Sequence, residues 1–378
     1  MKVLYVDQFS KTEGEDTIQL IERMNLLEQD ITIDAFFADD TYLIDKETIK
    51  TKIEYGFVNV FKGNIIKKII NYLKGLRNLK KYAKRNGVDI IHLQWFSIPW
   101  LEYYFVKRLR KKYKIVVTIH DVIPFNNRKG EIKALKKIYS QAHLLLVHSE
   151  YAKEEIQRIY NPKSPINVVT KAFCDKDKYE IIDKKIARKK LGIPENSFVV
   201  MNYGTIRDSK GVDILIKATE EAQKENNNIF LLVGGCLKDV DIEWHVKKKE
   251  EFESSNRGLL TFDFVPKEEE QYYFSAADVL CLPYKSGWQS GVVQLGLVYA
   301  LPMIVSNIRC FEDCVIDGFN GFVFNGSDVD DLKKKIVSLA NDANKIKNFS
   351  DNSASLYEKE FTLEKKAQEI ITQYKNLI

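Results

Sequence analysis

Nine short apolar runs, most of them separated by stretches of helical periodicity, constrain the fold of this chain more than any other feature: Val3–Phe9, Ile31–Phe37, Ile90–Leu93, Ile115–Ile119, Leu144–Val147, Phe198–Tyr203, Ile229–Val233, Val279–Leu282 and Met303–Val305. Runs of this length joined by helical segments predict parallel strands with crossover helices, an α/β architecture. At 378 residues the chain exceeds what one hydrophobic core usually organises, so two domains are expected. The alternation restarts after 171–196, a polar stretch with a short helical pattern at Ile186–Leu191, which we read as the interdomain connection. The prediction is two doubly wound, Rossmann-like domains, 1–172 and 173–360, facing across a cleft at the C-terminal ends of their strands, where such folds bind ligands.

No run approaches the roughly 18 to 20 apolar residues that cross a bilayer; the longest, Val292–Val305, is short and carries Gln294. The first residues, Met1 to Asp7, read as a strand and not a leader, because Asp7 interrupts them and no cleavage site follows. Cys174, Cys236, Cys281, Cys310 and Cys314 form no paired framework, which predicts a reducing, cytoplasmic setting, and Cys310 and Cys314 lack the companion ligands of a zinc site. Charge is uneven: residues 1–170 carry 29 Lys and Arg against 20 Asp and Glu, and the remainder 29 against 33. The two halves face different partners.

Two segments carry the chemistry. Gly204-Thr-Ile-Arg207-Asp-Ser-Lys210-Gly211 follows a strand-like run and leads into a helical pattern with Val212, Leu215, Ala218 and Ala222 on one face, which places two cations at a strand-to-helix turn. Gln289-Ser290-Gly291 opens an apolar helix, whose free backbone N–H groups suit an anion. Together they read as two halves of a diphosphate cradle.

At these residues the chain resembles the family 4 glycosyltransferases. The resemblance runs in order through Asp89 to His92, Val117 to Asp121, Ala142 to Ala152, Gly204 to Gly211, Ala276 to Val279, Leu282 to Tyr284, Ser290-Gly291, Ala300 to Pro302 and Asp317 to Gly321. It implies the two-domain GT-B fold, sugar transfer from a nucleotide donor with retention of configuration, and a closing helix, 361–378, that returns to the first domain. Two glutamates usual near the donor are absent: their positions hold Gly287 and Leu295. The sequence is similar instead to a variant subgroup, here Trp288-Gln289-Ser290-Gly291-Val292.

A nucleoside diphosphate leaving group develops charge that the protein must hold. Arg207 chelates phosphate oxygens through its fork and Lys210 adds a point charge; with His120, which ends the run Ile115–Ile119 on the ligand-binding rim, these are the expected catalytic residues. The resemblance implies that His120 faces the donor sugar. The expected donor-binding set is Gly204, Arg207, Lys210, Val265, Gln289, Ser290, Gly291, Gln294 and Asp313, and the acceptor side Gly14, His92 and Asp121. His143 and His148 read as structural and His245 as solvated. We find no Asp-x-Asp element of the kind metal-dependent transferases use, so neither a metal nor another cofactor is expected, and the substrate is a UDP- or GDP-sugar.

Residues 62–85 contain nine cations and no acid, interleaved with Ile65, Ile66, Ile69, Ile70, Tyr72, Leu73, Leu76 and Leu79, and 107–114 form a second basic cluster. Such a face suits an anionic membrane surface and, with it, a lipid-linked glycan acceptor of cell-surface polysaccharide synthesis. No nucleic-acid-binding module accompanies the charge. The missing glutamates leave two other readings open, a non-catalytic GT-B subunit of a transferase complex and a GT-B nucleotide-sugar epimerase.

Overall fold

The computed structural model describes residues 1–9, 14–41, 43, 49–124, 128, 130–170, 176–288 and 290–378. They form two compact units, Met1–Asp175 with Thr362–Ile378, and Lys176–Phe361. The first unit alternates β1 (Lys2–Asp7), α1 (Gly14–Leu27), β2 (Thr32–Ala38), β3 (Ile53–Phe57), α2 (Ile65–Arg85), β4 (Ile90–Leu93), α3 (Pro99–Leu109), β5 (Lys114–Thr118), α4 (Glu131–Tyr139), β6 (Leu144–Val147), α5 (Glu150–Tyr160) and β7 (Ile166–Val168). Its strands make one parallel sheet in the order β3-β2-β1-β4-β5-β6-β7.

The second unit runs α6 (Lys184–Leu191), β8 (Phe198–Tyr203), α7 (Val212–Glu225), β9 (Ile229–Gly234), α8 (Ile242–Ser254), β10 (Gly258–Thr261), α9 (Lys267–Ala276), β11 (Val279–Leu282), α10 (Gly291–Val298), β12 (Met303–Ser306), β13 (Gly321–Phe324), α11 (Val329–Ala340) and α12 (Ala343–Glu360). Its parallel sheet has the order β10-β9-β8-β11-β12-β13. In both sheets the order reverses beside the first strand of the unit, the topology that gathers loops at strand C-termini.

The nine apolar runs are the inner strands. The four strands not visible as apolar runs, β3, β7, β10 and β13, are the four sheet edges. Edge strands are covered less completely, and β7 is half-buried throughout, so no unbroken apolar run is required of them.

The stretch read as an interdomain connection needs correction. Its helix, α6, is folded into the second unit: buried Arg188 reaches Asp278 at 2.6 Å and the Ala276 carbonyl at 3.1 Å, while Asp183 caps the helix by accepting from the Lys185 and Ile186 amides. The last helix, α13 (Leu363–Lys375), buries Leu363, Ala367, Ile370, Ile371 and Tyr374 in the core of the first unit. Glu369 accepts from the Thr170 amide and hydroxyl, which fastens α13 to the end of β7. His245 is also corrected: it is buried, with Nδ1 2.7 Å from the Asp241 carbonyl, because it lies on the face of α8 that packs toward Phe262.

Candidate functional site

In the second unit, β8 delivers Gly204 at φ +104°, and a tight turn over Asp208–Lys210 ends at Gly211, φ +62°, before α7. Gly211 is required by space as well as by its positive φ, and Gly204 by its positive φ. A Cβ on Gly211 would lie 2.0 Å from the Pro283 carbonyl oxygen, and one on Gly204 would meet the Val292 methyl at 3.3 Å. The turn therefore packs directly on the loop after β11 and on the start of α10. The Lys285 amide donates to the Ser209 carbonyl at 2.8 Å, and Lys285 Nζ pairs with Asp208 at 2.7 Å and Asp213 at 3.1 Å.

Between these elements stands Tyr284, to which the sequence reading gives no role. Lys210 Nζ lies 3.6 Å from its ring centroid, its hydroxyl is 3.0 Å from Ser290 Oγ, and its carbonyl accepts from Ser306 Oγ at 2.6 Å. Burial pushes its phenol pKa up. One aromatic side chain thus links the cation of the first segment to the helix start of the second. Ser290 is the residue before α10, and Gly291 its exposed first residue, so the N-terminal amides of α10 open beside this cluster. The signal available in the sequence was Leu282-Pro-Tyr284, an aromatic directly after a strand.

The other residues expected on the donor side are dispersed. Arg207 lines a hollow of about 640 Å³ with Asp213, Asp239, Asp241 and Trp244. The sequence reading passed over three Asp-x-Asp spacings, 175–177, 239–241 and 328–330, but Asp241 caps α8 by accepting from the Trp244 amide at 3.1 Å and Asp328 caps α11 by accepting from the Asp330 and Asp331 amides. Among the described residues no group of three potential metal ligands occurs. Gln294 is buried within α10, Val265 is buried just before α9, and Asp313 is exposed after the turn at Arg309–Phe311. Gln289 lies outside the described residues. At Gly287, one of the two positions without a glutamate, a Cβ would meet nothing closer than 3.7 Å.

In the first unit, the C-terminal ends of β4 and β5 border a cavity of about 770 Å³. His120 and Asp121 line it, and the His120 ring stacks on Trp95 with centroids 4.5 Å apart. Its Nε2 is 3.0 Å from Gln94 Oε1, so Gln94 orients the imidazole as an Nε2–H donor. Gln94 was missed because an amide between Leu93 and Trp95 has no distinctive signature in a sequence.

His92 does not line the acceptor side as expected. It is fully buried, with Nδ1 2.6 Å from Tyr374 Oη and Nε2 2.7 Å from Thr118 Oγ1, tying α13 to β4 and β5. Burial, reinforced by His120 and Lys366, lowers its pKa to about 3, so it stays neutral. Its side chain points into the sheet face covered by α13, which strand-end position alone did not reveal. Gly14 is the buried first residue of α1 and is not among the cavity's lining residues. His143 accepts from the Ile115 amide at 2.9 Å, and buried His148 packs 5.4 Å from the His120 ring.

Comparison with known proteins bears on both units. The Glycosyltransferase Family 4 model matches residues 29–172 and the Glycosyl transferases group 1 model residues 183–356. The chain is 24% identical over 237 residues to the processive diacylglycerol alpha-glucosyltransferase of Acholeplasma laidlawii, a match covering 58% of this chain and 69% of that protein. It is 24% identical to the UDP-Gal:alpha-D-GlcNAc-diphosphoundecaprenol alpha-1,3-galactosyltransferase of Escherichia coli over 85% of each chain. Among solved structures, Anabaena HepE in complex with UDP and glucose superposes with a TM-score of 0.76 over 100% of both chains at 16% identity, a likeness of fold.

Proposed function

Because the chain belongs to the family 4 glycosyltransferases of GT-B fold, we propose that it moves one sugar from a UDP- or GDP-sugar to a lipid-linked glycan acceptor, with retention of configuration, at the inner face of the cell membrane. The single observation that carries the donor half is the Lys210–Tyr284–Ser290 cluster at the start of α10. It offers a fixed cation and helix-terminal N–H groups to a departing diphosphate, which is where charge develops. The bond from the sugar C1 to the diphosphate oxygen breaks and the acceptor oxygen bonds C1 on the same face. The acceptor's hydroxyl proton passes to the departing phosphate oxygen. Neither Gly287 nor Leu295 supplies a carboxylate nucleophile. The acceptor half rests on the basic 62–85 and 107–114 segments and on relatives whose names specify diacylglycerol and diphosphoundecaprenol.

The test is thermal unfolding of the purified chain with UDP, GDP and ADP and their sugars, followed by donor turnover in variants. A cognate diphosphate raises the unfolding temperature by mass action. Lys210→Ala and Arg207→Ala each lower turnover about 100-fold, the scale of losing one preorganised donor. Near-normal turnover in Lys210→Ala refutes the cradle.

A further inference from the structure

We propose that the hollow beside Arg207 in the second unit binds a neutral saccharide, at a site separate from the Lys210–Tyr284–Ser290 cluster. The proposal goes beyond the transferase reading, because a sugar held there is not the sugar transferred.

The hollow, about 640 Å³, falls in the range of roughly 300–1,000 Å³ of pockets that bury most of a small ligand. It lies between the first turns of α7 and α8 and the loops that precede them. Those two loops are fastened to each other: the Ile206 amide donates to the Cys236 carbonyl and the Lys238 amide to the Ile206 carbonyl, each at 2.8 Å. Among the described residues, none of α10 and neither Tyr284 nor Ser290 lines the hollow.

His245 points to a ligand. It is 4% exposed and forms part of the wall. Its Nδ1 lies 2.7 Å from the Asp241 carbonyl, and a carbonyl only accepts, so Nδ1 carries the hydrogen and Nε2 of the neutral ring is an acceptor. No described residue donates to Nε2, yet this atom is not sealed from solvent. The ring therefore presents a lone pair to the hollow, where a donor from outside the protein completes it.

The rest of the wall decides the kind of donor. Arg207 and Lys217 share it with Asp239 and Asp241. A phosphate would face two carboxylates and a polyamine two cations, a like-charge contact in either case. A sugar hydroxyl donates one hydrogen and accepts two, so neighbouring hydroxyls satisfy carboxylates, imidazole and cations together. Half-buried Trp244 sets an indole in the same wall, with Lys217 Nζ 5.6 Å from its ring centroid. A large apolar ring with a polar edge suits the C–H and hydroxyl surfaces of a pyranose. Exposed Asp239 is held at φ +56°, a conformation that glycine adopts at no steric cost, and a carboxylate stands there instead.

The experiment labels the full chain with 5-fluorotryptophan and follows its four tryptophans by fluorine NMR, with Trp244→Phe identifying the Trp244 resonance. Maltose, cellobiose, lactose and N,N′-diacetylchitobiose are titrated to millimolar concentration without donor. At least one is expected to shift the Trp244 resonance saturably. Asp239→Gly, which deletes the carboxylate where glycine fits the backbone, weakens that binding about fivefold or more, the scale of one hydrogen bond. His245→Asn, whose amide reaches the Asp241 carbonyl but which lacks Nε2, does the same. Glu250→Gln, exposed on α8 outside the hollow, leaves binding unchanged. Unfolding temperatures are measured for every variant. Wild-type affinity in either folded variant overturns the site, as does a Trp244 resonance that no saccharide moves or that only spermidine moves. A nucleoside diphosphate that displaces the saccharide overturns it too, assigning the hollow to the donor. Stabilisation by UDP or GDP is read on the same samples: if it holds while the saccharide response fails, the second site is wrong and the transferase reading stands.

Discussion

Replacing Tyr284 tests whether the proposed donor cradle is preorganised. The ring lies under Lys210 Nζ at 3.6 Å, and the hydroxyl meets Ser290 Oγ at 3.0 Å. A cation over a desolvated aromatic face contributes about 1–2 kcal/mol, and a lysine released from one rotamer regains up to about 2 kcal/mol of entropy that a ligand must then remove. Tyr284→Phe keeps the ring and deletes one hydrogen bond, a net loss of about 1 kcal/mol. Tyr284→Leu deletes both. Calorimetric titration with whichever of UDP and GDP binds the wild type is expected to show Tyr284→Phe weakened by no more than about fivefold and Tyr284→Leu by about 10- to 30-fold, since 1.4 kcal/mol is a factor of ten. Because Tyr284 is buried against Phe311, each variant's unfolding temperature is measured first, so that lost affinity is read only from folded protein. Wild-type affinity in a folded Tyr284→Leu variant refutes the argument that this ring positions the cradle.

Two buried groups give the first unit opposing pH dependences. Burial raises the Glu102 pKa from 4.5 to about 7, so its stability contribution is complete below 4.5 and is lost as pH rises through 7, a change of about 3 kcal/mol. Glu102→Gln removes that loss, and urea unfolding at pH 5 and 8 checks it; parallel profiles for variant and wild type count against it. His92 acts in the other direction, because its pKa falls from 6.5 to about 3: the unfolded chain takes up a proton first, and stability drops by about 5 kcal/mol as pH falls from 6.5 to 3. His92→Gln is therefore less stable at pH 7 yet flatter toward acid, whereas Glu102→Gln, no longer offsetting His92, loses stability more steeply below pH 6.5. Gly211→Ala places a Cβ 2.0 Å from a carbonyl at a positive φ and is expected to cost about 3 kcal/mol or more, while Gly287→Ala, with contacts no closer than 3.7 Å, stays within about 1 kcal/mol; melting temperatures decide.

The turn and the helix start were legible because they are local. The turn Gly204 to Gly211 and the helix start at Ser290-Gly291 are continuous segments whose glycines and cations announce a strand-to-helix turn and an open helix end. What joins them was not legible. Tyr284 is one more aromatic after a strand until the fold sets its ring under Lys210, and Arg207, one turn earlier, faces a hollow with Asp213 and Asp241. The two histidines at strand ends separate for the same reason: His120 and His92 terminate neighbouring strands, but one reaches the cavity and the other is sealed under Tyr374.

The sequence by itself determined the α/β class, the inner strands and the strand-to-helix turn at Gly204 to Gly211, because hydrophobic period, strand length and backbone chemistry at glycines act over a few residues. Only the tertiary structure decided the sheet edges, the burial of His92 and His245, the link through Tyr284 and the apolar cavity beside Gln94. Each depends on which distant elements cover a given face, and a side chain's exposure, pKa and partners are set by that covering and not by its neighbours in the chain.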